Sequence, residues 1–132
     1  MNKAENEEEK KISMTAPVSM IEVKKGEKFS MRFFLPASYA NANEAPKPTK
    51  ENVKVIDVPE RIVAVRTFSG HFRRENIEKN RAELLEALKN DKEVKNVGND
   101  VEVFGWNPPW TLSFLRTNEV LVKCDFVDKS GL

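Results

Sequence analysis

Cysteine and histidine are nearly absent from this chain of 132 residues, in which Cys124 and His71 are the single examples. One cysteine excludes an intrachain disulfide and a thiolate metal site, which suits a reducing compartment. One histidine excludes a histidine pair for metal binding, and no Ser/His/Asp set or phosphate-binding glycine loop stands out. Cys124 has a core-like position with no base beside it in sequence. We therefore predict a protein that is not an enzyme and that resides inside the cell, in the cytoplasm.

The net charge is also small, and long apolar runs are absent. The chain has 22 Lys and Arg against 21 Asp and Glu, so its formal charge of +1 gives no overall field toward nucleic acid or membranes. Apolar runs such as "MRFFL" are far too short to span a bilayer, and the acidic start "MNKAENEEEKK" lacks the features of a signal peptide. We expect a soluble single domain, with neither nucleic acid nor membrane as a partner.

The first half of the chain shows the period of β-strands. We predict a flexible acidic leader over residues 1–11, one domain over 12–126 and a tail over 127–132. "ISMTAPVSM" and "KFSMRFFLP" alternate apolar and polar residues, with a hairpin turn at residues 25–27. Pro17 cannot donate to a sheet, so the first strand is expected at an edge or a bulge. The Pro- and Asn-rich residues 36–52 predict a long loop.

The second half adds four strands and a helix. "VKVIDV", "RIVAVRTF", "VEVFGW" and "NEVLVKCDF" have strand patterns, whereas residues 73–90 have the period of an amphipathic helix. Strands in this order predict an α+β fold of about six antiparallel strands with one long helix packed on a curved sheet. If the fold is a duplication, the first copy lacks its opening strand and its helix.

Four segments of the chain resemble one known family. "KISMTAPVSM", "FFLP" followed by "PKP", "VPERIVAVRTFSG" and "NPPWTLSFLRTNEV" have the order and spacing typical of the SOUL haem-binding proteins, over roughly residues 11–124. The resemblance implies a distorted antiparallel β-barrel with two helices that binds haem or another tetrapyrrole non-covalently in a hydrophobic cleft. Family members usually carry a further strand and helix before the first motif. The chain is thus expected to be an N-terminally short member, a fragment, or one whose open sheet is covered by a partner chain or a second copy.

Several side chains are candidates for contact with such a ligand. Met14, Met20 and Met31 share the predicted inward strand faces with Phe33, where thioethers suit a flat ligand, although plain core packing would give the same pattern. His71 could ligate an iron or could simply be solvated.

Two further pairs of candidates are the arginines at the start of the predicted helix and the tryptophans on either side of the double proline. Arg73 and Arg74 open the helix, where the helix dipole disfavours cations and a bound anion such as a propionate would be stabilised. The alternative interpretation is that both side chains are simply solvated. Trp106 and Trp110 flank Pro108-Pro109, so they could stack on a macrocycle or close the core.

Two functions follow from the chain. The first is the binding or buffering of haem or related tetrapyrroles, without catalysis. The second is a protein interaction or dimerisation module that has lost tetrapyrrole binding.

The motif residues Arg116, Asn118 and Glu119 are interpreted as structural, because they begin the last strand and can pair with a neighbouring strand or loop.

Overall fold

An α-helix and a set of antiparallel strands make up the part of the fold that the structure describes. The structure is a computed structural model that describes residues 6–8, 11–12, 14–24 and 28–127. Within these residues the elements are β1 (Val18–Lys24), β2 (Lys28–Phe33), β3 (Val63–Phe68), α1 (Arg74–Lys89), β4 (Val94–Lys95), β5 (Val101–Gly105), β6 (Asn118–Lys123) and β7 (Asp125–Phe126). The predicted α+β class with one long helix is confirmed.

Five of the strands form a single antiparallel sheet in the order β2-β1-β5-β6-β3. β4 and β7 pair separately as a small second sheet. The outer strands β2 and β3 do not pair with each other in the described part of the chain, so the large sheet is open. Of the two predicted architectures, the open sheet is the one found, and closure into a barrel is not.

Helix α1 packs against the sheet with one side, which carries its buried residues. Asn80, Leu84 and Leu88 are buried at intervals of four residues, which places them on the same side of the helix. Leu84 and Leu88 supply apolar area, as the sequence period predicted. The buried amide of Asn80 is satisfied, because its Nδ2 donates to the carbonyl of Asn76 (2.8 Å) and its Oδ1 accepts from Arg66 Nε (3.0 Å).

The core lies between α1 and one half of the large sheet. Val120 and Val122 on β6 are 0% and 1% exposed, and they cluster with Val103 of β5, Phe68 of β3 and the two buried leucines of α1. The other half of the same sheet face is formed by β1 and β2, where Phe29, Met31 and Phe33 are more than half exposed. Apolar side chains therefore continue along the sheet beyond the area that the helix covers.

The opposite face of the sheet has polar and aromatic contacts instead. Glu102 of β5 is buried and accepts hydrogen bonds from Ser19 Oγ and from Arg61 Nη2. Phe104 packs edge-on against Phe34, with ring centroids 5.7 Å apart. Alternation along β5 thus sends Val103 toward the helix and Glu102 and Phe104 away from it.

Two expectations about strands are wrong, and one short strand was missed. Strand β1 begins after Pro17 and lies between β2 and β5, so it is not an edge strand. Proline lacks the N–H that an inner strand needs, and here it only precedes the strand. Residues 53–58 form no strand, and Val53, Ile56 and Val58 are exposed. The short strand β4 was not predicted. The predicted turn at residues 25–27 lies outside the described residues.

The segment before α1 is held against the loop that precedes β6. The N–H of Gly70 donates to the carbonyl of Ser113 (2.9 Å), and Asn118 Nδ2 donates to the carbonyl of Gly70 (3.0 Å). Gly70 has a φ of 99°, a conformation that glycine adopts readily. Arg116 Nε donates to the carbonyl of Thr111 (3.0 Å), which agrees with the structural interpretation of the motif.

Candidate functional site

A groove of about 470 Å³ lies between α1 and the partly covered half of the sheet. The helix contributes Arg74, Ile77, Glu78 and Arg81, which follow one another at spacings of three, one and three residues. These spacings bring the four side chains to one side of the helix. The groove exists because α1 lies against β3 and β6, while the sheet continues past it to β1 and β2.

The sheet side of the groove is mainly apolar. Met20 of β1 is the direct cross-strand partner of Val103 of β5, and Glu22 is the partner of Phe29 of β2. Partners in an antiparallel pair point to the same face, so these side chains form a continuous wall. The complete lining is Met20, Glu22, Phe29, Phe72, Arg74, Ile77, Glu78, Arg81, Asn99, Asp100, Val101 and Val103. Its volume is in the range typical of small-molecule sites.

Two guanidinium groups lie at the helix side of this groove. Arg81 Nη1 is 3.5 Å from Glu78 Oε2, whereas its Nε is buried and has no hydrogen-bond partner among the described residues. Arg74 forms no ion pair within the described part of the chain. A buried N–H without an acceptor is costly. The site therefore combines apolar walls with donors suited to a carboxylate.

Two of the nine predicted ligand contacts line the groove, namely Met20 and Arg74. Met31 and Phe33 lie on the same sheet face, because Met31 pairs with Met20 and Phe33 pairs with Val18. They extend the apolar wall toward the edge of the sheet and are exposed there. Their predicted common face with Met20 is confirmed, whereas their contact with a ligand stays a prediction.

Met14, His71 and Arg73 lie outside the groove lining. The strand that was expected to carry Met14 inward begins only at Val18, and Met14 is exposed. That placement of Met14 was wrong. His71 is an exposed loop residue whose carbonyl accepts from Asn76 Nδ2 (3.1 Å). Arg73 is the N-cap residue of α1, and its side chain makes no capping bond.

Neither tryptophan lines the groove. Trp106 packs edge-on against Phe104, with centroids 6.5 Å apart, and its Nε1 donates to Glu119. Phe104 points away from the helix, so Trp106 contacts the other face of the sheet. Trp110 is almost fully exposed. The two indoles on either side of Pro108 and Pro109 thus have different surroundings. The positions of Trp106 and Trp110 do not support stacking on a ligand in this groove.

Sequence reasoning missed most of the polar lining, namely Glu22, Glu78, Arg81, Asn99 and Asp100. One signal was available for Arg81, because it stands among the leucines of the helix at a spacing that returns it to the sheet side. Asn99 and Asp100 belong to a loop, where no period exists. Their place in the groove depends on the pairing of β5 with β1 and could not be read locally.

An apolar groove with a few converging polar groups is the usual form of a small-molecule site. The family model described as SOUL heme-binding protein matches residues 2–123, which is most of the chain. The chain therefore belongs to the SOUL family of haem-binding proteins, as its motifs predicted. No curated protein matches it closely enough to serve as a named relative. A membrane-spanning helix is absent from the part of the chain that the structure describes.

Proposed function

We propose that this protein binds haem or a related tetrapyrrole non-covalently in the groove between α1 and the sheet. Its role would be binding or buffering, without catalysis. The observation that carries the proposal is the combination of an apolar wall with two arginines, Arg74 and Arg81, in one groove. Family membership supports the same class of ligand.

The residues present suit the two parts of such a ligand. A tetrapyrrole supplies a flat, polarizable macrocycle with acidic side chains. Met20, Phe29 and Val103 would contact the macrocycle through thioether and hydrocarbon surfaces. Arg74 and Arg81 would hold the carboxylates, because guanidinium groups form strong, directed hydrogen bonds with them.

The distribution of charge sets the orientation of the ligand. Glu22, Glu78 and Asp100 also line the groove and would repel a carboxylate. Glu78 is already paired with Arg81, whereas Arg74 lies at the first turn of α1, where the helix dipole favours a negative charge. The acidic edge of the ligand is therefore proposed to face Arg74. His71 lies outside the groove and receives no role as an axial ligand.

Titration of the purified protein with hemin, followed by the Soret band, tests this function directly. Saturable one-to-one binding is expected. The variant Phe29→Ser removes an apolar side chain from the groove and should weaken binding about tenfold, since covering the exposed half of Phe29 is worth about 1.4 kcal/mol.

Phe126→Ser is the matched control, because Phe126 is a similarly exposed phenylalanine that does not line the groove. Its dissociation constant for hemin should equal that of the unmodified chain. Absence of saturable binding, or equal losses in the two variants, would reject the groove as a tetrapyrrole site.

A further inference from the structure

A cluster of large apolar side chains projects from the loop between β5 and β6. Trp110 is 83% exposed, Phe114 is 72% exposed, and Leu112 and Leu115 are each 60% exposed. We call residues 110–115 the apolar tip. Single exposed apolar residues are ordinary, but four within six positions form a patch that usually marks an interaction surface.

The apolar tip is held in place by several hydrogen bonds. Arg116 donates to the carbonyls of Thr111 and Pro109, and the N–H of Thr111 donates to the carbonyl of Pro108 (3.1 Å). The carbonyl of Ser113 accepts from Gly70 N–H, which ties the tip to the segment before α1. Two prolines further restrict the backbone. The apolar side chains are therefore presented at fixed positions instead of folding back onto the core.

The two segments nearest the tip contain arginines and no acidic residue. The loop over residues 105–117 and the adjoining segment over residues 69–74 contain Arg73, Arg74 and Arg116, but no aspartate or glutamate. The two segments touch, because Phe72 lies 3.5 Å from where a Cβ would stand on Gly105. The net charge of +1 for the whole chain conceals this local excess of positive charge.

We propose that the apolar tip docks on an anionic lipid membrane surface. Exposed tryptophan, phenylalanine and leucine are the residues that enter the interface of a bilayer, and neighbouring arginines are attracted to acidic headgroups. A protein partner would select for a shaped pocket or a satisfied polar rim. The tip instead has exposed apolar side chains near Arg73 and Arg116, which suits a lipid surface. This docking is peripheral, and it uses the apolar tip with Arg73 and Arg116, none of which line the groove.

Co-sedimentation with vesicles tests the proposal. The full chain should bind vesicles of phosphatidylcholine mixed with phosphatidylserine, and should bind vesicles of phosphatidylcholine alone much more weakly. Added salt should reduce binding to the mixed vesicles, since the attraction of exposed charges is screened. Brominated lipid in the mixed vesicles should quench the tryptophan emission of the unmodified chain, and the variant Trp106→Phe, which leaves Trp110 as the single tryptophan, should show the same quenching.

Two variants separate the apolar and the charged contributions. Trp110→Ser combined with Phe114→Ser should lower the vesicle partition coefficient at least about tenfold, since binding scales with the apolar area buried in the interface. Arg73→Glu should lower it at least about fivefold on anionic vesicles only, because one basic residue contributes about that factor there. Phe126→Ser, an exposed phenylalanine outside the tip, should bind vesicles like the unmodified chain.

Failure of the unmodified chain to bind mixed vesicles would overturn the proposal. Unchanged binding by the double serine variant would also overturn it. A concentration-dependent dimer that the double variant abolishes, without vesicle binding, would assign the tip to a second copy of the chain instead.

Discussion

Ser19 and Glu102 are hydrogen-bonded side chain to side chain between the neighbouring strands β1 and β5, and both residues are buried. The second carboxylate oxygen of Glu102 accepts from Arg61 Nη2 at 2.6 Å. This contact fixes the segment before β3 against the sheet face opposite to α1. A charged group is thus buried with its hydrogen bonds satisfied, and it links three separate parts of the chain.

Glu102→Ala should destabilise the protein by about 3 kcal/mol. The substitution removes the charge partner of Arg61 and leaves Ser19 Oγ buried without its acceptor. The side chain of Arg61 is 30% exposed and can still reach water, which places the expected loss at the lower end for a buried pair. Urea denaturation followed by circular dichroism measures the change in the free energy of unfolding.

Glu83→Ala is the control for this prediction. Glu83 also pairs with an arginine, Arg66, but both side chains are 43% exposed. Exposed ion pairs contribute little, so a loss below about 1 kcal/mol is expected. Similar losses at Glu83 and Glu102 would contradict the special role assigned to the buried carboxylate.

Gly70→Ala should destabilise the segment that leads into α1 by about 2 kcal/mol. The φ of 99° is strained for any residue with a Cβ, and an added Cβ would lie 2.9 Å from Asn76 Nδ2. That amide donates to the carbonyls of Ser69 and His71, so its displacement would loosen the whole turn. Thermal unfolding measures the effect.

Gly105→Ala serves as the comparison for Gly70. Its added Cβ would make an ordinary contact with the ring of Phe72 at 3.5 Å, and its φ is not in the positive region. We expect a loss of less than about 1 kcal/mol. A larger loss at Gly105 than at Gly70 would show that backbone conformation is not what selects glycine at position 70.

The two tryptophans should differ in their contribution to stability. Trp106→Ala removes an edge-on contact with Phe104 and a hydrogen bond to Glu119, so a loss of about 2 kcal/mol is expected. Trp110→Ala removes an exposed side chain and should change the free energy of unfolding by less than about 0.5 kcal/mol. Urea denaturation of both variants checks this; equal losses would mean that Trp110 packs on the protein.

Local sequence patterns predicted the elements that depend on local contacts. The helix was predicted because Leu84 and Leu88 repeat at the helical period and lie on one face in the structure. Strand β6 followed from alternation of apolar and polar residues, and β3 followed from a run rich in β-forming residues. The strand predicted at residues 53–58 is absent, because a β-branched run becomes a strand only where a neighbouring strand offers hydrogen bonds. No local pattern contains that information.

The candidate site was less predictable because it is assembled from distant segments. Met20 and Arg74 were selected for the right chemistry, and the structure brings both into one groove. Trp106 was selected for the same reason but points to the opposite face, as its contact with Phe104 shows. The face on which a residue of β5 lies depends on the register with β1, and a one-residue shift would exchange the two faces.

Charge reversal at Arg74 and at Arg73 should have different effects on hemin binding, because only Arg74 lines the groove. Arg74→Glu should weaken hemin binding about tenfold, because a charged hydrogen bond to a propionate is worth about 1.5 kcal/mol and the new carboxylate repels it. Arg73→Glu should leave the dissociation constant for hemin nearly unchanged, since Arg73 does not line the groove. Both positions lie at the start of α1, where a negative charge is favourable to the helix, so neither variant should unfold. Soret titration of the two variants at equal ionic strength decides the matter. Equal weakening would indicate a general electrostatic effect, and no weakening at Arg74 would remove this arginine from the proposed site.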